Sequence, residues 1–122
     1  MKFLLIYPKW EKLDRQTRFN LPPHGPVVMA AALPPGVEVE FIDENVEPVD
    51  FGAETDFVGI SIMLSAQLKR GWEIAAAFRA RGIKVILGGI ATMLHAEECR
   101  AHADSVFLGE AEGRLEQVFA DF

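Results

Sequence analysis

The amino-acid sequence predicts an α/β fold in which helices cover both faces of a five-stranded parallel sheet. Five short apolar segments of strand length recur along the 122 residues, and this recurrence is the first observation behind the prediction. The second is that long segments separate them, because parallel neighbours need crossover connections and cannot be joined by a hairpin turn. The third is that glycines follow several of the apolar segments, as in tight turns from a strand into a helix.

The first part of the chain predicts two strands, a long loop and a short helix. Residues 3–7 form a continuous apolar run that ends at Pro8, which is typical of a strand buried on both faces. Residues 8–25 form a loop that is too long for a plain connector and is therefore a functional candidate. A short helix is predicted over residues 26–33. The alternation of apolar and acidic residues over 37–42 predicts a strand near the sheet edge.

The central part predicts a buried strand followed by a helix. Residues 57–62 are apolar around Gly59, and a glycine in a strand lets another group approach the backbone closely. Residues 65–81 place apolar side chains at helical spacing. Ser65 is a candidate cap for this helix, and Gly82 occupies the left-handed position that ends it.

The last part predicts two more strands and two helices, and it completes the sheet. The predicted elements are a strand over 83–87, a turn at Gly88 and Gly89, a helix over 93–103, a strand over 105–108 and a helix over 112–119. Because the second strand resembles an edge strand and the first and third are the most apolar, we expect the flavodoxin-like (Rossmann-like) order 2-1-3-4-5. A ligand is then expected outside the carboxyl ends of strands one and three, where the order reverses.

Composition limits the classes of function. The length predicts a single domain over residues 1–122, and the net charge of -6 without a basic stripe argues against a nucleic-acid partner. The longest nearly apolar run, residues 85–94, is too short to span a membrane and contains glycines. The N-terminus lacks the pattern of a signal peptide, so we expect a cytoplasmic protein. A single cysteine, Cys99, forms neither an internal disulfide nor a thiolate cage for iron–sulfur or zinc.

Metal binding and catalysis by this chain are both disfavoured by its pattern. His95, Cys99 and His102 are spaced to share one face of the predicted helix, but no fourth ligand is close in sequence. Surface histidines and a structural cysteine are therefore the preferred interpretation, and no metal site is predicted. Since no nucleophile, base and acid are arranged together, no catalytic residue is predicted.

The glycines at the expected carboxyl edge have two interpretations. Gly88 and Gly89 follow strand four, and Gly109 follows strand five. Residues without side chains let a large ligand lie against the backbone. The same glycines also suit tight turns that need no ligand.

The spacing of these motifs resembles a known family. Residues 61–63 (Ser-Ile-Met), followed after twenty-four residues by Gly88 and Gly89, are similar to the Ser-x-Leu and Gly-Gly elements of cobalamin (vitamin B12)-binding domains. More closely, the chain resembles the N-terminal domain of B12-dependent radical SAM enzymes, including anaerobic magnesium-protoporphyrin IX monomethyl ester cyclases. Further counterparts are residues 22–25, 41–44, 88–90 with 97–98, and 103–106 with 109–112.

This resemblance implies cobalamin as the cofactor, with its nucleotide tail inserted between the sheet and the helices. The hydroxyls of Ser61 and Ser65 would face the tail, and Gly88 and Gly89 would let it pass. The other residues implied by the matched motifs are Met63, Ile90, Gly109 and Glu110.

His24 is a further candidate for contact with the cofactor, but its surroundings depart from the family's cobalt-ligand motif. That motif is Asp-x-His-x-x-Gly, and this chain has Pro22 and Val27 at the Asp and Gly positions. The carboxylate that orients such a histidine is therefore missing. An exposed loop histidine is the preferred interpretation of His24.

The resemblance also implies a longer parent protein. A radical SAM domain of the same polypeptide would hold a [4Fe-4S] cluster and S-adenosylmethionine, and the reaction would be methyl transfer or oxidative ring closure. The alternative is a degenerate flavodoxin-like domain that has lost cobalamin and acts as a structural or docking module.

Overall fold

The computed structural model describes residues 2–10 and 37–106. The five strands among them form one parallel sheet. Its strands are β1 (Lys2–Tyr7), β2 (Glu38–Asp43), β3 (Phe57–Ser61), β4 (Lys84–Gly88) and β5 (Ser105–Val106). The strands pair in the order β2-β1-β3-β4-β5, and every pairing is parallel. This confirms the predicted fold class and strand order.

The helices that the structure describes follow β3 and β4. They are a 3-10 turn (Ser65–Gln67), α1 (Leu68–Ala80), α2 (Ile90–Leu94) and α3 (Ala96–Arg100). Gly82 has φ 79° just after α1, so the predicted left-handed end of this helix is confirmed.

The predicted helix over 93–103 is wrong in its bounds. Instead of one helix, α2 begins directly after Gly89 and is separated from α3 by His95, which has φ -122° and ψ 36°. The start is set by tertiary contact, because the amide of Ala91 donates to the carbonyl of Ile62 at 3.0 Å. A helical period in the sequence does not report such a contact.

Other predicted elements lie outside the described residues. These are the long loop beyond residue 10, the helices over 26–33 and 112–119, and residues 107–108 of the fifth strand.

The main core lies between one face of the sheet and α1. Alternate residues of β1, β3 and β4 point to this face, where they contact Ile74, Ala75 and Phe78. Gly71 lets α1 approach closely, since a Cβ there would lie 2.6 Å from Ile62 Cδ1. Cys99 is fully buried in the same core.

The second face carries a smaller cluster around Phe3 and Phe57, whose rings stack at a centroid distance of 4.6 Å. Gly59 belongs to this face, and a Cβ at Gly59 would lie 2.5 Å from Phe3 Cζ. The group that approaches the Gly59 backbone is therefore the Phe3 ring.

Among the described residues, no helix combines the length and the apolar character needed to cross a membrane.

Candidate functional site at the carboxyl edge of the sheet

The candidate site lies between β1 and β3, where the direction in which successive strands are added to the sheet reverses. The connection after β1 leads toward β2, whereas the connection after β3 leads toward β4. At such a reversal the connections leave the sheet in different directions, and in open α/β sheets this is where a ligand-binding crevice is expected.

Ser61 is the last residue of β3 and lies at this crevice. It pairs with Gly88 of β4, and strand alternation places its side chain on the same face as Phe57 and Gly59. Only 8% of Ser61 is exposed. Its hydroxyl makes no hydrogen bond to another described residue, and it is not sealed in the core: within residues 2–10 and 37–106 the fully buried side-chain polar atom without a partner is Trp72 Nε1. A hydroxyl that is within reach of the surface and engaged by no described residue is a group that a ligand can bind.

The backbone beyond Ser61 is held against the turn after β4. The amide of Ile62 donates to the carbonyl of Gly88 at 2.8 Å. The hydroxyl of Thr92, a fully buried residue, donates to the same carbonyl at 2.8 Å. The bond from Ile62 continues the contact between β3 and β4 one residue past the end of β3, and the bond from Thr92 joins α2 to the end of β4.

Gly89 is required by this contact. Its φ is 98°, and a Cβ would lie 2.5 Å from the carbonyl oxygen of Ile62. The close approach that the glycine pair predicts is therefore made, at Gly89, by the chain's own backbone. Contact of Gly88 and Gly89 with a cofactor stays a prediction.

Gln67 connects the two diverging loops. Its side chain is fully buried, and its Nε2 donates to the carbonyl of Pro8 at 2.6 Å. Its Oε1 accepts hydrogen bonds from the amides of Met63 and Leu64 at 3.1 and 2.9 Å. One amide side chain thus joins the exit of β1 to the loop after β3.

Glu44 holds the same exit from the side of β2. Arg70 of α1 binds its carboxylate in a bidentate manner, with Nε to Oε1 at 2.9 Å and Nη2 to Oε2 at 2.6 Å. The amide of Lys9 donates to Oε1 at 3.1 Å. The Glu44 side chain is only 4% exposed. Burial alone would raise the pKa of Glu44, but the bonds from Arg70 and Lys9 outweigh it and lower the pKa below its ordinary value.

Tyr7 ends β1 beneath this network and is largely buried. Burial raises the pKa of its hydroxyl, the charge of Asp43 raises it further, and the Gln67 amide opposes both. The phenol is therefore neutral at physiological pH. Its ring meets that of Trp10 edge to face at a centroid distance of 5.8 Å.

Apolar side chains are exposed on the opposite side of the crevice. Ile90, Met93 and Leu94 share one face of α2 and are 52%, 48% and 72% exposed. Leu64, in the loop after β3, is 42% exposed. The carboxyl edge thus combines buried hydrogen-bonding side chains with uncovered apolar ones.

Comparison with known proteins decides the family. The model of the B12-binding domain family matches residues 13–119, which is most of the chain. The chain belongs to the B12-binding domain family. The resemblance of its motifs to B12-binding domains is thereby confirmed.

A curated relative adds the context of an enzyme. The chain is 36% identical over 86 residues to bacteriochlorophyllide d C-8(2)-methyltransferase from Chlorobaculum tepidum. The match covers 70% of this chain and 19% of the relative. This B12-binding chain therefore spans only about a fifth of the length of that methyltransferase.

The remaining candidate residues of this B12-binding domain have different outcomes. Ser65 is exposed and is the first residue of the 3-10 turn. The capping position is Leu64, without a side-chain cap, so the interpretation of Ser65 as a helix cap is wrong. Met63 is half-buried and Ile90 is exposed. His24, Gly109 and Glu110 lie outside the described residues.

The histidines and the cysteine of the last helical segment are dispersed. His95 pairs with Glu98 at 3.5 Å, and His102 stacks on Trp72 with ring centroids 4.2 Å apart. Within residues 2–10 and 37–106, no three His, Cys, Asp or Glu side chains are grouped to hold a metal.

Sequence reasoning missed Gln67, although a signal was present. Gln67 is the third residue of the 3-10 turn, and its side chain accepts a bond from the amide of Leu64, the capping residue. A glutamine three residues after a helix cap is half of the capping-box pattern. The usual Ser or Thr at the capping position is replaced here by leucine.

Proposed function

We propose that this chain is the cobalamin-binding module of an enzyme that transfers a methyl group. The family match supports cobalamin, and the relative's printed activity favours methyl transfer over the ring closure that the resemblance also implies. One observation carries the proposal at the level of residues. Ser61 is only 8% exposed at the carboxyl edge, and its hydroxyl has no hydrogen-bond partner among the described residues but is not one of the fully buried polar atoms, so it stays within reach of a ligand.

The residues present fit the nucleotide tail of cobalamin. A base nitrogen that enters the sheet–helix boundary needs a donor, because a buried polar atom without one costs about 1 to 3 kcal/mol. Ser61 offers that donor at the end of β3. Opposite Ser61 in the sheet register is Gly88, which has no side chain to occupy the same face. Bound cobalamin supplies the methyl-carrying chemistry, and the fold supplies position.

The other cofactors belong to further parts of the parent protein. The sequence contains one cysteine, and Cys99 is fully buried in the main core, so this chain does not supply the thiolates of a [4Fe-4S] cluster. We propose that a radical SAM domain of the same polypeptide holds the cluster and S-adenosylmethionine. The match to about a fifth of a methyltransferase supports this arrangement.

Binding of hydroxocobalamin by the 122-residue chain tests the proposal. After mixing and passage through a desalting column, the corrin absorbance should elute with the protein. The variant Ser61→Ala should bind about tenfold more weakly, as expected for one lost hydrogen bond to a buried base. Ser105→Ala is the matched control, because Ser105 is exposed at the start of β5.

Two results would contradict the proposal. If the unmodified, folded chain elutes free of corrin, the alternative of a structural or docking module is favoured. If Ser61→Ala and Ser105→Ala bind equally well, the role of the Ser61 hydroxyl is wrong.

A further inference from the structure

Gln67 lies between the segment that follows β1 and the loop that follows β3, and its side chain connects them. The exits of β1 and β3 lead in opposite directions, so neither loop supports the other through strand pairing. The three bonds of the Gln67 side chain cross this gap between residues that are up to 59 positions apart in sequence. A buried side chain that uses both its donor and its acceptor in this way fixes geometry as well as burying surface.

The loop that Gln67 holds follows Ser61 directly. Ile62 is fixed to Gly88 by a backbone bond, and the next two amides, those of Met63 and Leu64, are fixed by Gln67. Without Gln67 these two amides would lose their acceptor. The backbone immediately beyond Ser61 would then be free to rearrange.

The exit of β1 is held by a second set of bonds. The carbonyl of Tyr7 accepts from the amide of Glu44 at 3.0 Å, and the Glu44 carboxylate accepts from the amide of Lys9. The Pro8 carbonyl lies between these two bonds and is the atom that Gln67 binds. Gln67 thus anchors the loop after β3 to a segment that is itself fixed.

We propose that Gln67 is a positioning residue that holds the loop after β3 to the exit of β1 and thereby sets the affinity of the carboxyl edge for cobalamin. This inference rests on the proposed function and deepens it. Gln67 acts through Ser61 and the loop backbone, because a crevice that is already shaped pays less ordering entropy on binding.

We call the three bonds of the Gln67 side chain the clamp. Two variants separate its halves, which are the bonds from the Met63 and Leu64 amides and the bond to the Pro8 carbonyl. Gln67→Met keeps the length of the side chain and removes all three bonds, together with the contact between the Gln67 amide and the Tyr7 hydroxyl. Gln67→Glu keeps an acceptor for Met63 and Leu64, but its carboxylate opposes the carbonyl of Pro8. When this buried carboxyl is protonated, it donates to that carbonyl again.

The control variant is Thr55→Val. The Thr55 hydroxyl lies 3.2 Å from the carbonyl of Lys2 and 3.0 Å from that of Phe57, so it also links β1 and β3, but at the amino edge. This substitution removes a polar link between the same two strands and keeps the shape of the side chain.

Hydroxocobalamin binding is the first measurement. Gln67→Met should bind about tenfold more weakly than the unmodified chain, whereas Thr55→Val should bind equally well. Gln67→Glu should bind weakly at about pH 8 and recover toward about pH 6, relative to the unmodified chain at each pH. Recovery of this kind is not expected from a general loss of stability. Equal affinity of Gln67→Met and the unmodified chain would overturn the inference while the proposed function stands.

Amide hydrogen exchange without cobalamin is the second measurement. In Gln67→Met the amides of Met63 and Leu64 should exchange at least about tenfold faster, while the amides of β3 and β4 keep their rates. Unchanged exchange at Met63 and Leu64 would overturn the clamp. If the unmodified chain binds no hydroxocobalamin, the proposed function fails together with the role of Gln67 in affinity, and exchange then decides whether the clamp exists.

Discussion

The two edges of the sheet are held by different means. At the amino edge the linking groups are in contact with water: Asp56 accepts from the amide of Lys2 at 2.6 Å, and Asp104 accepts from the amide of Val85 at 2.8 Å. At the carboxyl edge the linking side chains of Gln67 and Glu44 are almost completely buried. The strand ends at the carboxyl edge are therefore fixed by side chains that are shielded from water.

The surfaces of the two edges also differ in character. At the amino edge, two cavities of about 250 and 520 Å³ lie among charged side chains. The exposed apolar face of α2 lies at the carboxyl edge. The amino edge thus presents charged side chains to water, whereas the carboxyl edge has a fixed backbone and exposed apolar side chains. The two edges therefore differ in how their strand ends are fixed, by buried side chains at the carboxyl edge and by water-exposed side chains at the amino edge.

The largest effect is expected from a methyl group at the carboxyl edge. Gly89→Ala places a Cβ 2.5 Å from the Ile62 carbonyl oxygen at φ 98°, and should lower the free energy of unfolding by about 3 to 4 kcal/mol. Gly82→Ala is the control, because Gly82 has φ 79° and nothing within 4 Å of its added Cβ. It should cost only about 1 kcal/mol. Urea unfolding measures both, and equal losses would show that the Ile62 contact is not tight.

An intermediate effect is expected from the buried ion pair. Glu44→Gln should lower the free energy of unfolding at neutral pH by about 2 kcal/mol, because Arg70 loses its buried charged partner and keeps only the exposed Glu73. Asp104→Asn at the amino edge should cost less than about 1 kcal/mol, because Arg79 and Lys84 pair with Asp104 through longer, more exposed contacts. Chemical unfolding at neutral pH compares the two variants, and equal costs would remove the distinction between the edges.

The same Glu44→Gln variant has a pH signature. The folded pKa of Glu44 is lowered, so its contribution to stability is complete above about pH 4.3, the unfolded value, and is lost as the pH falls through the folded pKa. The variant should therefore lose less stability than the unmodified chain on acidification below about pH 4.3. Parallel stability curves for the two proteins would contradict this.

The smallest effect is expected at the exposed face of α2. Met93→Ser should change the free energy of unfolding by less than about 0.5 kcal/mol, since this side chain is already 48% exposed. It should reduce the fluorescence of a hydrophobic dye bound to the folded chain, because the apolar patch becomes smaller. A stability loss above about 1 kcal/mol would mean that Met93 is packed.

The sequence predicted the sheet well because its signals are local. The apolar run at residues 3–7 and the alternation at 37–42 identify a central and an edge strand, and β1 and β2 occupy those places. Gly82 was predictable because a left-handed helix end is a property of one residue.

The site was less predictable because its contacts join distant residues. The bond from Gln67 to Pro8 links residues 59 positions apart, and no period in the sequence reports it. The close approach predicted at Gly59 is confirmed, and the approaching group is the Phe3 ring. At Gly89 the group in contact is the Ile62 backbone, and contact with a ligand stays a prediction.

Because Cys99 is fully buried, its reactivity reports local opening of the core. A thiol reagent reacts only with an accessible sulfur, and the sequence offers it this one thiol, held with no exposure in the core beside β5. The rate of modification therefore measures how often that part of the core opens under native conditions. Any ligand that binds the closed form slows the reaction in proportion to its occupancy, so affinity can be read without an attached label.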